Sequence, residues 1–251
     1  MSRLKPKKER MGKRILSNNQ KNPSFTFRGA SPSRLDNLTD AVFGIAITLL
    51  IFNLSSPNSL RDLIVFSQTL PAFLISIGFL ILIWQEHVRF SEIFTIKGPW
   101  LIFLNSLFLA LIIFYVYPLR FLTLFLTKVI FNIDSLVEIS AEEIPDLMIY
   151  YGFVAFALYF ILLGFYVLAI QNKEVLKLND FEFLHARFQR IRMVIMCLVP
   201  LISITLVWFL RPYSIGWSSF FGGLMYAFYT PLIMVWVKFH KKAEAKLMAD
   251  K

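Results

Sequence analysis

Six apolar runs separated by polar stretches dominate the chain, at about 36–54, 63–85, 98–119, 147–172, 193–210 and 212–237. Each approaches or exceeds the roughly 17–25 residues that a helix needs to cross the hydrocarbon of a bilayer. The pattern predicts an all-α membrane protein with six transmembrane helices. Proline stands near two of the starts, Pro99 and Pro212, where its missing N–H is tolerated. Only Arg211-Pro212 separates the short fifth run from the sixth, so these two are expected to form a tight hairpin. Ser214-Ile-Gly-Trp217 belongs to that turn and has only a superficial likeness to a carbonyl-lined ion filter. No internal repeat relates the two halves of the chain.

Composition agrees with this pattern. The chain is 57% hydrophobic and 17% charged, whereas soluble domains are nearer half apolar and a quarter charged. Residues 1–33 form a basic arm with Pro6, Pro23 and Pro32. Such an arm is expected to be disordered, lying along anionic lipid headgroups or staying solvated and fixing topology. It is not read as a signal peptide, because no small-residue cleavage site follows the apolar segment.

Most other basic residues lie in the 86–97 loop (Arg89, Lys97), the 173–192 loop and the tail after 238. The opposite loops hold only Arg61, Arg120, Lys128 and Arg211. By the positive-inside rule both termini are cytoplasmic, and an even number of spans independently puts them on one side. The expected organisation is the arm 1–33, a six-helix domain 34–238 and a basic tail 239–251. The formal charge of +10 thus follows topology and gives no sign of nucleic-acid binding. The 120–146 loop is acidic (Asp134, Glu138, Glu142, Glu143, Asp146), and Glu142, Glu143 and Asp146 fit either a solvated surface or a means of concentrating cations at the outer mouth.

The first run carries the most informative chemistry. At 100° per residue Leu38, Ala41, Ile45, Thr48, Leu49 and Phe52 fall on one stripe, with Asp40, Gly44, Ile47 and Ile51 on another side. Periodicity alone fits that stripe to lipid, to packing or to a pore. Arg34 and Asp40, six residues apart, do not make a same-face pair. Charges in spanning helices are expensive, about 2.5–3.5 kcal/mol at the bilayer centre by insertion scales, and are usually functional. Asp40 is therefore expected to bond to another helix or a neighbouring subunit. Gly44 is expected to let a neighbouring helix come close.

Arg34-Leu-Asp-Asn-Leu38-Thr39-Asp40 resembles the Arg-x-x-x-Phe-Ser-Asp signature of the transmembrane protein 175 potassium channels, with Leu38 for Phe and Thr39 for Ser. The following AVFGIAITLL is similar to that family's first helix. Trp84 and His87 occupy the places of the Trp and His that end its second helix, and Asn105 and Pro118 also fit. The resemblance covers roughly 34–118; beyond it only helix count and topology agree.

That resemblance implies a homotetramer of six-helix subunits in the cell membrane (the bacterial inner membrane), with the first helix of each lining a central pore. It places the hydrophobic constriction at Ile45, extended by Leu49 and Phe52, and a potassium-favouring hydroxyl at Thr48. Arg34, Thr39 and Asp40 would form a motif and assembly network with Trp84, His87 and Asn105. The implied activity is a leak-type cation channel of modest K+ over Na+ selectivity, with permeant K+ and no cofactor. Arg187, Arg190 and Arg192 are expected to snorkel at the cytoplasmic start of the fifth span, so no voltage sensor is foreseen.

The rival reading is a proton-coupled transporter or proton pathway using Asp40, Glu86 and His87. The chain lacks the internal repeats and broken midplane helices usual in transporters. His87 beside Glu86 fits a structural hydrogen bond or a proton-sensitive switch. Three histidines in separate loops (His87, His185, His240) and the lone Cys197 offer no metal site. With no catalytic triad, phosphate loop or dinucleotide fingerprint, the chain is not expected to be an enzyme.

Overall fold

The computed structural model describes residues 32–52, 58–131, 137 and 139–249, and its regular elements are all helical. They are α1 (Arg34–Phe52), α2 (Leu60–Gln68), α3 (Leu70–Phe94), α4 (Pro99–Phe131), a short 3-10 turn (Ala141–Glu143), α5 (Ile144–Gln171), α6 (Asp180–Leu210), α7 (Ile215–Ala227) and α8 (Tyr229–Ala249). Five stretches among the described residues are long and apolar enough to cross a membrane: Leu70–Phe94, Pro99–Lys128, Ala141–Gln171, Asp180–Leu210 and Ile215–Ala245. The 19-residue α1 is not among them. At about 1.5 Å per residue it is roughly 28 Å long, close to the hydrocarbon thickness.

Two of the apolar runs are broken, against the expectation of unbroken spans, and proline explains both breaks. In an unbroken second run, residue 71 would donate to the carbonyl of Ser67. Pro71 has no N–H, so Thr69 instead donates to Phe66 O at 3.0 Å in a tighter turn and α3 begins afresh at Leu70. Pro231 likewise cannot donate to Ala227, and α7 gives way to α8 across Phe228.

Four helices outrun their apolar cores. The expected 86–97 loop is largely helix, because α3 continues to Phe94 and stops where Thr95 adopts the left-handed conformation (φ 37°). Helix α4 runs through Pro118 to Phe131, taking up the first part of the expected 120–146 loop. The carbonyl of Pro118 accepts a hydrogen bond from the Tyr151 hydroxyl of α5. Helix α6 starts at Asp180 rather than near 193, because Asn179 and Glu182 form a capping box in which Asn179 Oδ1 accepts from Glu182 N at 2.9 Å. Helix α8 continues without a break through 239–249.

Packing divides the helices into two groups. Helices α1, α3 and α4 pack on one another, α5–α8 form the second group, and α5 touches both α3 and α4. The shared core joins Phe43, Ala46 and Leu50 of α1 to Leu80 and Phe90 of α3, Phe108 and Ile112 of α4, and Phe165 of α5. Within the second group small residues bring backbones together, as is usual in membranes. A Cβ on Gly222 would lie 2.3 Å from Val207 Cγ2, and one on Gly152 would lie 2.7 Å from Ile204 Cγ1. Ser203 Oγ uses that proximity to donate to Gly222 O at 2.8 Å.

Candidate pore helix and its supporting network

Helix α1 begins with a capping box. Ser33 N donates to Asp36 Oδ2 at 2.8 Å and Asp36 N donates to Ser33 Oγ at 3.2 Å. The second Asp36 oxygen accepts from the Ser91 hydroxyl of α3. The start of α1 is thereby fixed to the end of α3. Asp36 and Ser91 were not among the expected site residues, although the Ser-x-x-Asp spacing was visible in the sequence.

One turn on, Thr39 is fully buried. Its hydroxyl donates to Leu35 O at 2.9 Å, so its oxygen is left to accept from Asn105 Nδ2 at 3.1 Å. Asn105 therefore presents Oδ1 to His87, whose Nε2 lies 2.8 Å away and donates to it. The His87 ring stacks on Phe108 at 5.3 Å and meets the edge of Phe165 at 5.6 Å. A cavity of about 20 Å³, bounded by Asp36, His87, Ser91, Thr95 and Asn105 among others, has room for about one water molecule.

Asp40 is exposed and accepts a hydrogen bond from Trp84 Nε1 at 2.7 Å, so its partner lies on α3 of the same subunit. Arg34 is exposed and, among the described residues, makes no ion pair. The three groups of the rival proton relay have separate partners: Asp40 meets Trp84, His87 meets Asn105, and Glu86 meets Arg192 of α6. Arg192 thus turns to a carboxylate within the subunit instead of snorkelling. Arg187 lies over the Phe183 ring at 5.9 Å.

The face of α1 away from this network is uncovered within the subunit. Leu38 and Ile45 are 53% and 52% exposed, and Ala41, Gly44 and Thr48 are exposed beside them. The opposite face is closed, with Phe43, Ala46 and Leu50 buried. Leu49 and Ile47 are only partly covered, against the core. Gly44 faces open space, so no helix of the same subunit uses its small size. The Thr48 hydroxyl donates to Ile45 O at 2.7 Å, which leaves its oxygen lone pairs on the exposed face. The side chain of Phe52 lies outside the described residues.

At the opposite end of the bundle the acidic groups are partly engaged. Asp146 forms a bidentate pair with Arg211, one contact being 2.8 Å. Glu143 Oε2 accepts from Ser140 N at 2.8 Å and Ser140 Oγ at 2.9 Å.

Fold and site define a polytopic helical membrane protein whose first helix is anchored by a buried polar network and leaves an apolar face unfilled. A family model described as endosomal/lysosomal potassium channel TMEM175 matches residues 34–115. A "Potassium channel" of Marivirga tractuosa is 30% identical over 237 residues, covering 91% of this chain and 96% of that protein. The crystal structure of the potassium channel MtTMEM175, a threonine-to-alanine variant in complex with a nanobody–MBP fusion, superposes with a TM-score of 0.79. It is 31% identical and covers 88% of this chain and 98% of its own. The chain belongs to the TMEM175 family.

Proposed function

We propose that this protein is a potassium-permeable leak channel of the cell membrane, assembled as a homotetramer in which four copies of α1 enclose the pore. Each subunit crosses the membrane six times with both termini in the cytoplasm. The observation that carries this reading is the α1 face made by Leu38, Ala41, Ile45 and Thr48, exposed in the subunit while the opposite face is anchored. Relatives that are potassium channels over nearly their whole length support it.

In this reading Ile45 forms the narrowest ring, and Leu49 and Phe52 extend it. An apolar throat too narrow for a hydrated cation expels water, and the ion cannot shed its shell there cheaply. A small outward tilt of α1 rewets the throat. Thr48 supplies a ring of hydroxyl oxygens with free lone pairs, a weak preference for K+ rather than a carbonyl filter. Arg187 and Arg192, engaged near the cytoplasmic start of α6, do not serve as gating charges.

The test is current recording from the purified protein in a bilayer under a K+/Na+ gradient, with Ile45→Asn alongside. Passive K+-favouring current, and higher open probability or sodium permeation in Ile45→Asn, are expected. Saturating carrier-like flux, or a variant identical to the native chain, contradicts the reading.

A further inference from the structure

Glu86 lies on α3 between Trp84 and His87, the two residues through which α3 holds α1, yet it shares neither of their hydrogen bonds. Its carboxylate instead meets the guanidinium of Arg192 on α6, with Arg89 3.7 Å from the other oxygen. The two side chains are 24% and 19% exposed, and Arg192 Nε is buried with no hydrogen bond among the described residues. Helix α6 packs on α5, α7 and α8, the group to which α1 does not belong. The ion pair therefore crosses from the outer group of helices to the helix that holds the pore wall. Removing Glu86 leaves the Arg192 charge partly buried without its carboxylate, and removing Arg192 leaves Glu86 only the longer contact to the exposed Arg89.

We propose that Glu86 and Arg192 are positioning residues for conduction. The pair fixes α3 against the α5–α8 group, and α3 passes that position to α1 through Trp84–Asp40 and through His87–Asn105–Thr39. A throat near its wetting threshold converts a small inward shift of α1 into closure. Removing either partner is therefore expected to reduce the time spent open and to leave the open pore as it was. This inference rests on the channel reading above. Substitutions in coupling networks that touch no permeant ion typically shift an equilibrium by about two- to thirtyfold.

The experiment is single-channel recording of the full-length protein in bilayers as Glu86→Gln, Arg192→Gln and the double variant. Each single variant is expected to lower open probability by about fivefold or more. Unitary conductance, K+/Na+ reversal potential and oligomer size should be unchanged, and the double variant should lose no more than either single one, because all three lack the same contact and the double strands no charge. The charge swap, Glu86→Arg with Arg192→Glu, should recover part of the loss, which a merely space-filling role would not. Open probability within about twofold of the native chain in both single variants, or effects that multiply in the double one, overturns the proposal. If the glutamine variants lose the oligomer, Glu86→Asp and Arg192→Lys are read by the same criterion. A native protein that carries no K+ current refutes the channel reading itself, a result distinct from a conducting channel indifferent to this pair.

Discussion

Asn105→Leu is the most revealing single perturbation of the anchoring network. Asn105 is fully buried, accepts from His87 at 2.8 Å and donates to Thr39 at 3.1 Å. Leucine fills a similar volume and makes neither bond. The His87 N–H, on a side chain only 5% exposed, then has no acceptor. A buried donor left unsatisfied costs about 1–3 kcal/mol. Thr39 keeps its bond to Leu35 O and loses only one accepted bond, on average about 0.6 kcal/mol inside a membrane protein. The sum is a loss of about 2–4 kcal/mol, or roughly a 4–16 °C fall in midpoint for a chain of this size.

Adding His87→Phe removes the stranded donor and preserves the stacking on Phe108. The double variant should therefore melt above Asn105→Leu, since removing both partners is far cheaper than removing one. Thermal unfolding followed by tryptophan fluorescence in one detergent measures all three proteins, and size exclusion reports the oligomer. A midpoint for Asn105→Leu within about 2 °C of the native chain refutes the reasoning. So does a double variant that melts lower than the single one by as much again.

Thr48→Ala should lower the K+/Na+ permeability ratio by about two- to tenfold, read from reversal potentials, and Thr48→Ser should retain it. Gly222→Val should destabilise by about 1–3 kcal/mol or more in the same melting assay, because its Cβ would lie 2.3 Å from Val207 Cγ2. Asp146→Asn breaks an exposed pair (side chains 57% and 45% exposed) and should change stability by less than about 1 kcal/mol.

The helical class and the position of α1 could be read from the sequence because apolar length reports them directly. The period of α1 grouped Leu38, Ala41, Ile45 and Thr48, which are exposed together, but also Leu49, which is partly covered against the core, and set apart Gly44, which is exposed. Helix boundaries were less visible, since an apolar run shows only where a helix is greasy. The Asn179–Glu182 capping box extends α6 by about four turns of polar helix. Pro71 and Pro231 break runs that average hydropathy treats as continuous. Partner choice was least visible. Trp84, His87 and Ser91 share one face of α3, spaced by three and four residues, but nothing local says that they meet Asp40, Asn105 and Asp36 respectively. The Glu86–Arg192 contact joins residues far apart in the chain and depends on the packed helices for its existence.

The central claim, that the uncovered face of α1 lines the ion path, is tested most directly by cysteine accessibility. Cys197 is the chain's single cysteine and is buried, so a Cys197→Ser background is free of thiols. In that background Ile45→Cys and Thr48→Cys place a thiol on the exposed face, and Leu50→Cys places one in the buried core. A small charged thiol reagent should block current through the first two proteins, more slowly in high K+, and leave the third conducting. Current that persists after complete labelling at Ile45→Cys, or block confined to Leu50→Cys, contradicts the account.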